Sequence, residues 1–256
     1  MSRFGNLEFG SGHEQSRLEE TPAKTELYFL QEAQTAFENG RFEQSLRGYA
    51  KVLEFNSRCA AAWTGQVRSL IELGEFSEAQ VWADKALSSF PNEPELMAAK
   101  AVSLARLGDL QGALSYSDAA VESQTSTPYI WLARGDVLLA RKEKRAEYCF
   151  EKAFALAGQN WFVLWLTARI QAFYEHFARA LKFAQQALVL QPGRAVLWLE
   201  TGRCQMQLGL ITQAQNSFEQ ARELDPDCAA QACLNEAAGT SFSDKLAGRW
   251  RQWFRR

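Results

Sequence analysis

Hydrophobic and polar positions do not alternate strand-fashion anywhere along this chain. Apolar residues recur instead at helical spacing, punctuated by a frame that returns every 34 residues or so. Gly40, Gly74 and Gly108 mark it, in Asn39-Gly40-Arg41-Phe42, Leu73-Gly74-Glu75-Phe76 and Leu107-Gly108-Asp109-Leu110, and Gly209 stands in the related Leu208-Gly209-Leu210-Ile211. Five places after each glycine comes a small residue, Ser45, Ala79, Ala113 or Ala214, and seven places further Val52, Ala86, Ala120 or Ala221. Two passages without the glycine keep the second spacing, Ala146 to Ala153 and Ala180 to Ala187. Small residues in that rhythm let two antiparallel helices approach closely while Trp and Phe fill the gaps between them. The pattern therefore predicts helix pairs joined by tight turns. Pro91, Pro94, Pro128, Pro192 and Pro226 fall between the pairs. None interrupts a helix interior, where a proline costs about 3 kcal/mol.

These frames resemble the tetratricopeptide repeat, a helix–turn–helix unit of about 34 residues whose signature runs Trp-x-x-Leu-Gly-x-x-Tyr, then Ala-x-x-x-Phe, then Pro. Six copies can be laid out, at 26–59, 60–93, 94–127, 128–160, 161–194 and 195–228. The leading large position reads Phe29, Trp63, Met97, Trp131, Leu164 and Trp198, and the small position Ala33, Val67, Ala101, Gly135, Ala168 and Gly202. The fourth copy is one residue short around Lys142, and the fifth has Glu175 where the turn glycine belongs. The resemblance implies an all-α, right-handed superhelical solenoid of about six such repeats. Residues 229–238 continue as one more helix, the cap that a last repeat needs over its apolar face.

Two segments lie outside the repeats. Residues 1–25 read as a flexible polar arm carrying Phe4, Leu7 and Phe9. Residues 239–256 read as a linker followed by a basic amphipathic tail. Drawn as a helix, the tail gathers Phe242, Leu246, Trp250, Trp253 and Phe254 within an arc of roughly 120°, with Arg249 and Arg251 among the bases on the remaining arc. Residues 241–256 hold five bases and one acid, so the rest of the chain keeps 23 of 28 bases and 29 of 30 acids, a balance of −6. Such a tail suits an anionic membrane surface, a partner's groove, or the array's own end.

Composition narrows the function. The 256 residues are 47% hydrophobic and 23% charged with a net charge of −2, which is globular and unsuited to coating nucleic acid. The two histidines, His13 and His176, are too few and too far apart for a histidine-rich metal site. Five cysteines stand scattered without a Cys-x-x-Cys pair, which disfavours zinc ribbons and thioredoxin-like redox centres. Cys149 and Cys204 fall within predicted helices as packed thiols. The run Arg141-Lys142-Glu143-Lys144-Arg145 reads as a solvated turn offset by Glu143 and Glu147. No phosphate-binding loop, His-Glu-x-x-His or nucleophile elbow is present. We expect no enzyme activity, no cofactor, no metal and no small-molecule substrate. The longest apolar run, Trp161 to Leu166, is far short of the roughly 20 residues that cross a bilayer, and residues 1–25 lack the apolar stretch of a signal peptide. The expected address is the cytoplasm, or the inner membrane face if the tail attaches.

Binding is then the expected activity. In tetratricopeptide arrays the first helix of each repeat lines a concave groove. Carried over position by position, that groove holds Leu30, Arg68, Tyr129, Leu132, Phe162, Trp165, Arg169, Phe173, Leu199 and Arg203. Apolar anchors among arginines suit an extended peptide or a partner helix with acidic side chains. The clamp with which some members grip chaperone tails is missing, since Leu30, Gln34, Gly65, Glu95 and Ala99 occupy its places. The expectation is a scaffold or adaptor for a protein or peptide partner. The alternative is a membrane-associated scaffold held by Phe242, Leu246, Arg249, Trp250, Arg251, Trp253 and Phe254.

Overall fold

The computed structural model describes residues 25–123 and 126–228. The arm before Thr25, the predicted capping helix 229–238 and the tail 239–256 lie outside the described residues. Within them every regular element is an α-helix. The helices are α1 (Glu26–Glu38), α2 (Phe42–Phe55), α3 (Ala60–Glu72), α4 (Phe76–Ser89), α5 (Pro94–Leu107), α6 (Leu110–Glu122), α7 (Pro128–Ala140), α8 (Ala146–Ala157), α9 (Trp161–Phe173), α10 (Phe177–Leu190), α11 (Ala195–Gln207) and α12 (Ile211–Leu224). Odd-numbered helices are the first, and even-numbered the second, members of six helix–turn–helix pairs. The chain divides into two compact units, one ending at Gly158 and one beginning at Gln159.

Capping chemistry sets where helices begin. Thr127 and Asn160 accept hydrogen bonds from the backbone N–H of Ile130 and Phe162 at 3.5 and 2.9 Å. Pro94 and Pro128 occupy first-turn positions, where a missing N–H leaves no bond unmade. The turn inside each pair is stereotyped. One residue enters the left-handed region, and the next N–H reaches back to a carbonyl of the finished helix. Gly108 does so with φ 93°, followed by a 3.0 Å bond from Asp109 to the Leu104 carbonyl. Lys142 and Glu175, which replace the glycine, take the same turn at φ 58° and 60°. Their following residues, Glu143 and His176, bond to Leu138 and Gln171 at 2.8 and 2.9 Å. The missing residue of the fourth copy falls between Lys142 and Ala146, and α8 starts late as a result.

The small residues sit where the helices touch. Ser45, Ala79, Ala113 and Ala214 are wholly buried, as are Val52, Ala86 and Ala221. The Ser45 hydroxyl is kept satisfied by donating to the Ala33 carbonyl at 2.9 Å. Glycine serves a second purpose in the first helices of some pairs. A Cβ on Gly135 would stand 2.6 Å from the Phe150 ring, and one on Gly202 would run into the Phe218 ring. Each ring fills the space that the absent methyl leaves. In the first unit, α5 packs against α3, α4, α6 and α7, and Trp63, Leu70, Leu96 and Ile130 share one core. In the second, Leu199, Ala214, Phe218 and Ala221 form a core between α11 and α12.

Tryptophan ties successive pairs together. The indole N–H of Trp63 donates to the Ser57 carbonyl at 2.9 Å, and that of Trp198 to the Pro192 carbonyl at 2.8 Å. Trp131 donates to the Ser126 hydroxyl at 2.8 Å. All three bind the linker just ahead of their own helix.

Candidate partner-binding site

In the first unit the first helices α1, α3 and α7 bring together a cation and two rings. The Arg68 guanidinium lies 3.9 Å from the Tyr129 ring centre and 5.1 Å from that of Phe37, a cation–π sandwich between α1 and α7. Tyr129 is half-buried by surface area, and burial raises its phenol above the ordinary 10.0. Arg68 opposes that rise, while Glu95, Glu72 and Asp136 add to it. Glu95 is itself oriented by the Thr127 hydroxyl, which donates to it at 2.7 Å. Leu30 is half-buried against the unit's core. A few residues away, Arg106 donates to Asp136 at 2.7 Å, with both side chains almost fully buried.

In the second unit α9 and α11 carry the remaining groove residues. Phe162 is half-buried, 5.7 Å from Trp165 and 5.5 Å from Trp161 between ring centres. Phe173 is 42% exposed and meets Tyr174 edge to face. Arg169 donates to Glu200 at 3.2 Å and lies over Trp165 at 5.5 Å. Arg203 is half-buried on α11.

Three of the expected apolar anchors do not project from the surface. Leu132, Trp165 and Leu199 are 1%, 0% and 8% exposed. Leu132 lies on α7, which α5, α6 and α8 enclose, and Leu199 belongs to the core that α12 completes. Trp165 has Trp161 and Phe162 against it and the Arg169 guanidinium above it. These side chains build the helix faces from beneath. Arg169, expected to meet a partner's acid, is held by Glu200 of its own unit. The tail residues Phe242, Leu246, Arg249, Trp250, Arg251, Trp253 and Phe254 lie outside the described residues.

Asp136 falls at a groove position of the fourth copy, but its pairing with Arg106, and that of Glu200 with Arg169, escaped the sequence reading, although a signal was present. Each acid stands one repeat, less three or four residues, beyond the arginine it holds: 30 residues from Arg106 and 31 from Arg169. The basic run at the fourth turn closes around Glu143, which accepts from Arg141 at 2.7 Å and from Arg145 at 2.5 Å. Those two bonds lower the Glu143 carboxyl below its ordinary 4.5. The two buried thiols, Cys149 and Cys204, are poorly suited to nucleophilic work. Burial raises Cys149 above 9.0 and pushes Cys204 up to about 12. His176 is exposed in its turn, 3.0 Å from the Gln171 amide.

Two stretches, residues 30–94 and 174–234, match models of the tetratricopeptide repeat, one on each unit. The chain is a tetratricopeptide repeat protein. Its fold is similar to that of a tetratricopeptide repeat protein from Parabacteroides merdae ATCC 43184, with a TM-score of 0.53 at 14% identity over 85% of this chain and 86% of that one. A tetratricopeptide repeat protein of Thermus thermophilus aligns over 84% of this chain and 99% of its own, at 15% identity and a TM-score of 0.49. Among curated proteins, Protein CTR9 homolog of Arabidopsis thaliana is 29% identical over 117 residues, which are 45% of this chain and 11% of that protein's length. The repeat fold is that of a protein–protein interaction scaffold.

Proposed function

We propose that this tetratricopeptide repeat protein acts by binding alone, holding an extended peptide or a partner helix on the faces of its first helices. The observation that carries this reading is the set of aromatic and arginine side chains left at least partly exposed there: half-buried Arg68 and Tyr129 on one unit, half-buried Phe162 and Arg203 and exposed Phe173 on the other. Aromatic residues and arginine are the types in which binding energy concentrates: the rings offer large contact area at little conformational cost, and the guanidinium offers a planar fork of donors. The test is a titration of a captured partner against Tyr129→Ala and Phe173→Ala, with Glu219→Ala on the exposed side of α12 as control. We expect at least one first-helix change to cost about 2 kcal/mol or more. A control that weakened binding as much would overturn the reading.

The charge distribution favours a second role for the tail. Residues 241–256 carry a balance of +4 on a chain otherwise at −6. Each base near an anionic bilayer contributes about 1 kcal/mol, enough for reversible attachment. Among the described residues no helix is long and apolar enough to cross a membrane. Co-sedimentation with vesicles should show the full chain, and not one ending at Gly239, bound to anionic lipid and released by salt. Equal binding to neutral lipid would remove this role.

A further inference from the structure

The arginines on the first helices differ in what already holds them. Arg106 is bonded to Asp136 and Arg169 to Glu200. Arg68 has both faces covered by rings, with Glu72 and Glu95 close enough to shift the tyrosine beneath it. Arg203 makes no hydrogen bond, ion pair or ring contact with any described residue, although it is half-buried. The charged residues of α9 and α11 are Arg169, Glu200 and Arg203, and the single carboxylate among them is 4% exposed and already engaged. Within α9 and α11 the balance is therefore one positive charge, carried on the partly desolvated guanidinium of Arg203.

The repeat register says what flanks it. Arg68, the ninth residue of α3, reaches Phe37, the twelfth of α1. Asp136, the ninth of α7, meets Arg106, the thirteenth of α5. Arg203 is the ninth residue of α11, so the same register sets it against Ala172 and Phe173 at the end of α9. Phe173 is exposed there, and half-buried Met206 lies three residues on from Arg203, on the same side of its helix. An open guanidinium beside an exposed ring and a thioether fits a carboxylate next to a large apolar side chain. The fork of a guanidinium engages both carboxylate oxygens at once, which a lysine cannot do.

We infer that Arg203, with Phe173 and Met206, forms the subsite that selects an acidic–apolar segment of the protein partner. The inference rests on the binding role proposed above and adds the partner's chemistry to it. It is tested by selecting binders to the full chain from a displayed library of random peptides, then titrating synthetic copies against variants. Enriched peptides should carry Asp or Glu beside a large apolar residue. Arg203→Gln should weaken them by about ten- to a hundredfold. Arg203→Lys should restore part of the loss, and exchange of the peptide acid for its amide should match the Gln variant. Thermal melts would show that Arg203→Gln remains folded. Peptides without acids that still depend on Phe173 would sink the acid-reading subsite and leave the scaffold role standing. So would binding indifferent to Arg203→Gln. A library that yields no binder at all would overturn both.

Discussion

The Arg106 guanidinium lies 2.7 Å from the Asp136 carboxylate, two repeats' first helices joined by an ion pair whose side chains are 6% and 1% exposed. Removing one partner strands the other charge in a place water barely reaches. Asp136→Ala should therefore cost about 3–5 kcal/mol in urea denaturation, while Arg106→Met with Asp136→Leu should cost far less, because no charge is left unpaired. Equal losses in the single and double variants would mean that the pair contributes only packing.

The two turns that lack glycine should be improvable. Lys142 and Glu175 hold left-handed φ values of 58° and 60°, where a side chain costs roughly 1–2 kcal/mol that glycine avoids. Part of that gain is offset by glycine's freedom in the unfolded chain, leaving each of Lys142→Gly and Glu175→Gly to raise the urea midpoint by the equivalent of about 0.5–1 kcal/mol. An unchanged or lowered midpoint would show that neighbouring bonds, such as those to Glu143, outweigh the backbone strain.

Gly202 is expected to be intolerant in the opposite sense. A methyl there would overlap the Phe218 ring, which is wholly buried and has nowhere to retreat. Gly202→Ala should destabilise by about 1–3 kcal/mol. Adding Phe218→Leu should recover part of that loss, a coupling that a double-mutant cycle would read.

Alkaline solution should weaken the fold. Burial lifts Cys204 from 9.0 to about 12 and raises Cys149, Tyr49 and Tyr129 as well. Each is a group whose folded state prefers the proton. The stabilisation is complete below the unfolded value and is lost as pH climbs toward the folded one, so for Cys204 the window is about pH 9 to 12. Urea melts at about pH 8 and about pH 10.5 should differ, and Cys204→Ala should lessen the difference. A thiol reagent at about pH 8 should leave Cys204 unmodified until the protein unfolds.

Much of the fold is written in residues whose role is local. A glycine that must enter a left-handed turn, or an alanine that must sit under a neighbouring helix, leaves the same mark at every repeat. Gly74 and Ala86 are legible for that reason. Trp165 and Arg169 are not, because the same helical position serves as surface or interior according to what the neighbouring turns place against it. At Trp165 the cover comes from Trp161, Phe162 and the Arg169 guanidinium, none of which the repeat period specifies. Lys142 and Glu175 show the converse: their turns persist without glycine because the backbone bonds on either side still close.

The tryptophan bonds to the linkers carry a mechanical consequence. At Trp63 and Trp131, opening the joint ahead of the helix means breaking a hydrogen bond at 2.9 or 2.8 Å as well as parting two packed surfaces. Ahead of α5 the corresponding residue is Met97, whose thioether side chain has no N–H to give to the linker. The side-chain bonds that close the linkers of the first unit are thus unevenly distributed. Under tension the joint between α4 and α5 should have one side-chain hydrogen bond fewer to break than its two neighbours, leaving its packed surfaces to hold it.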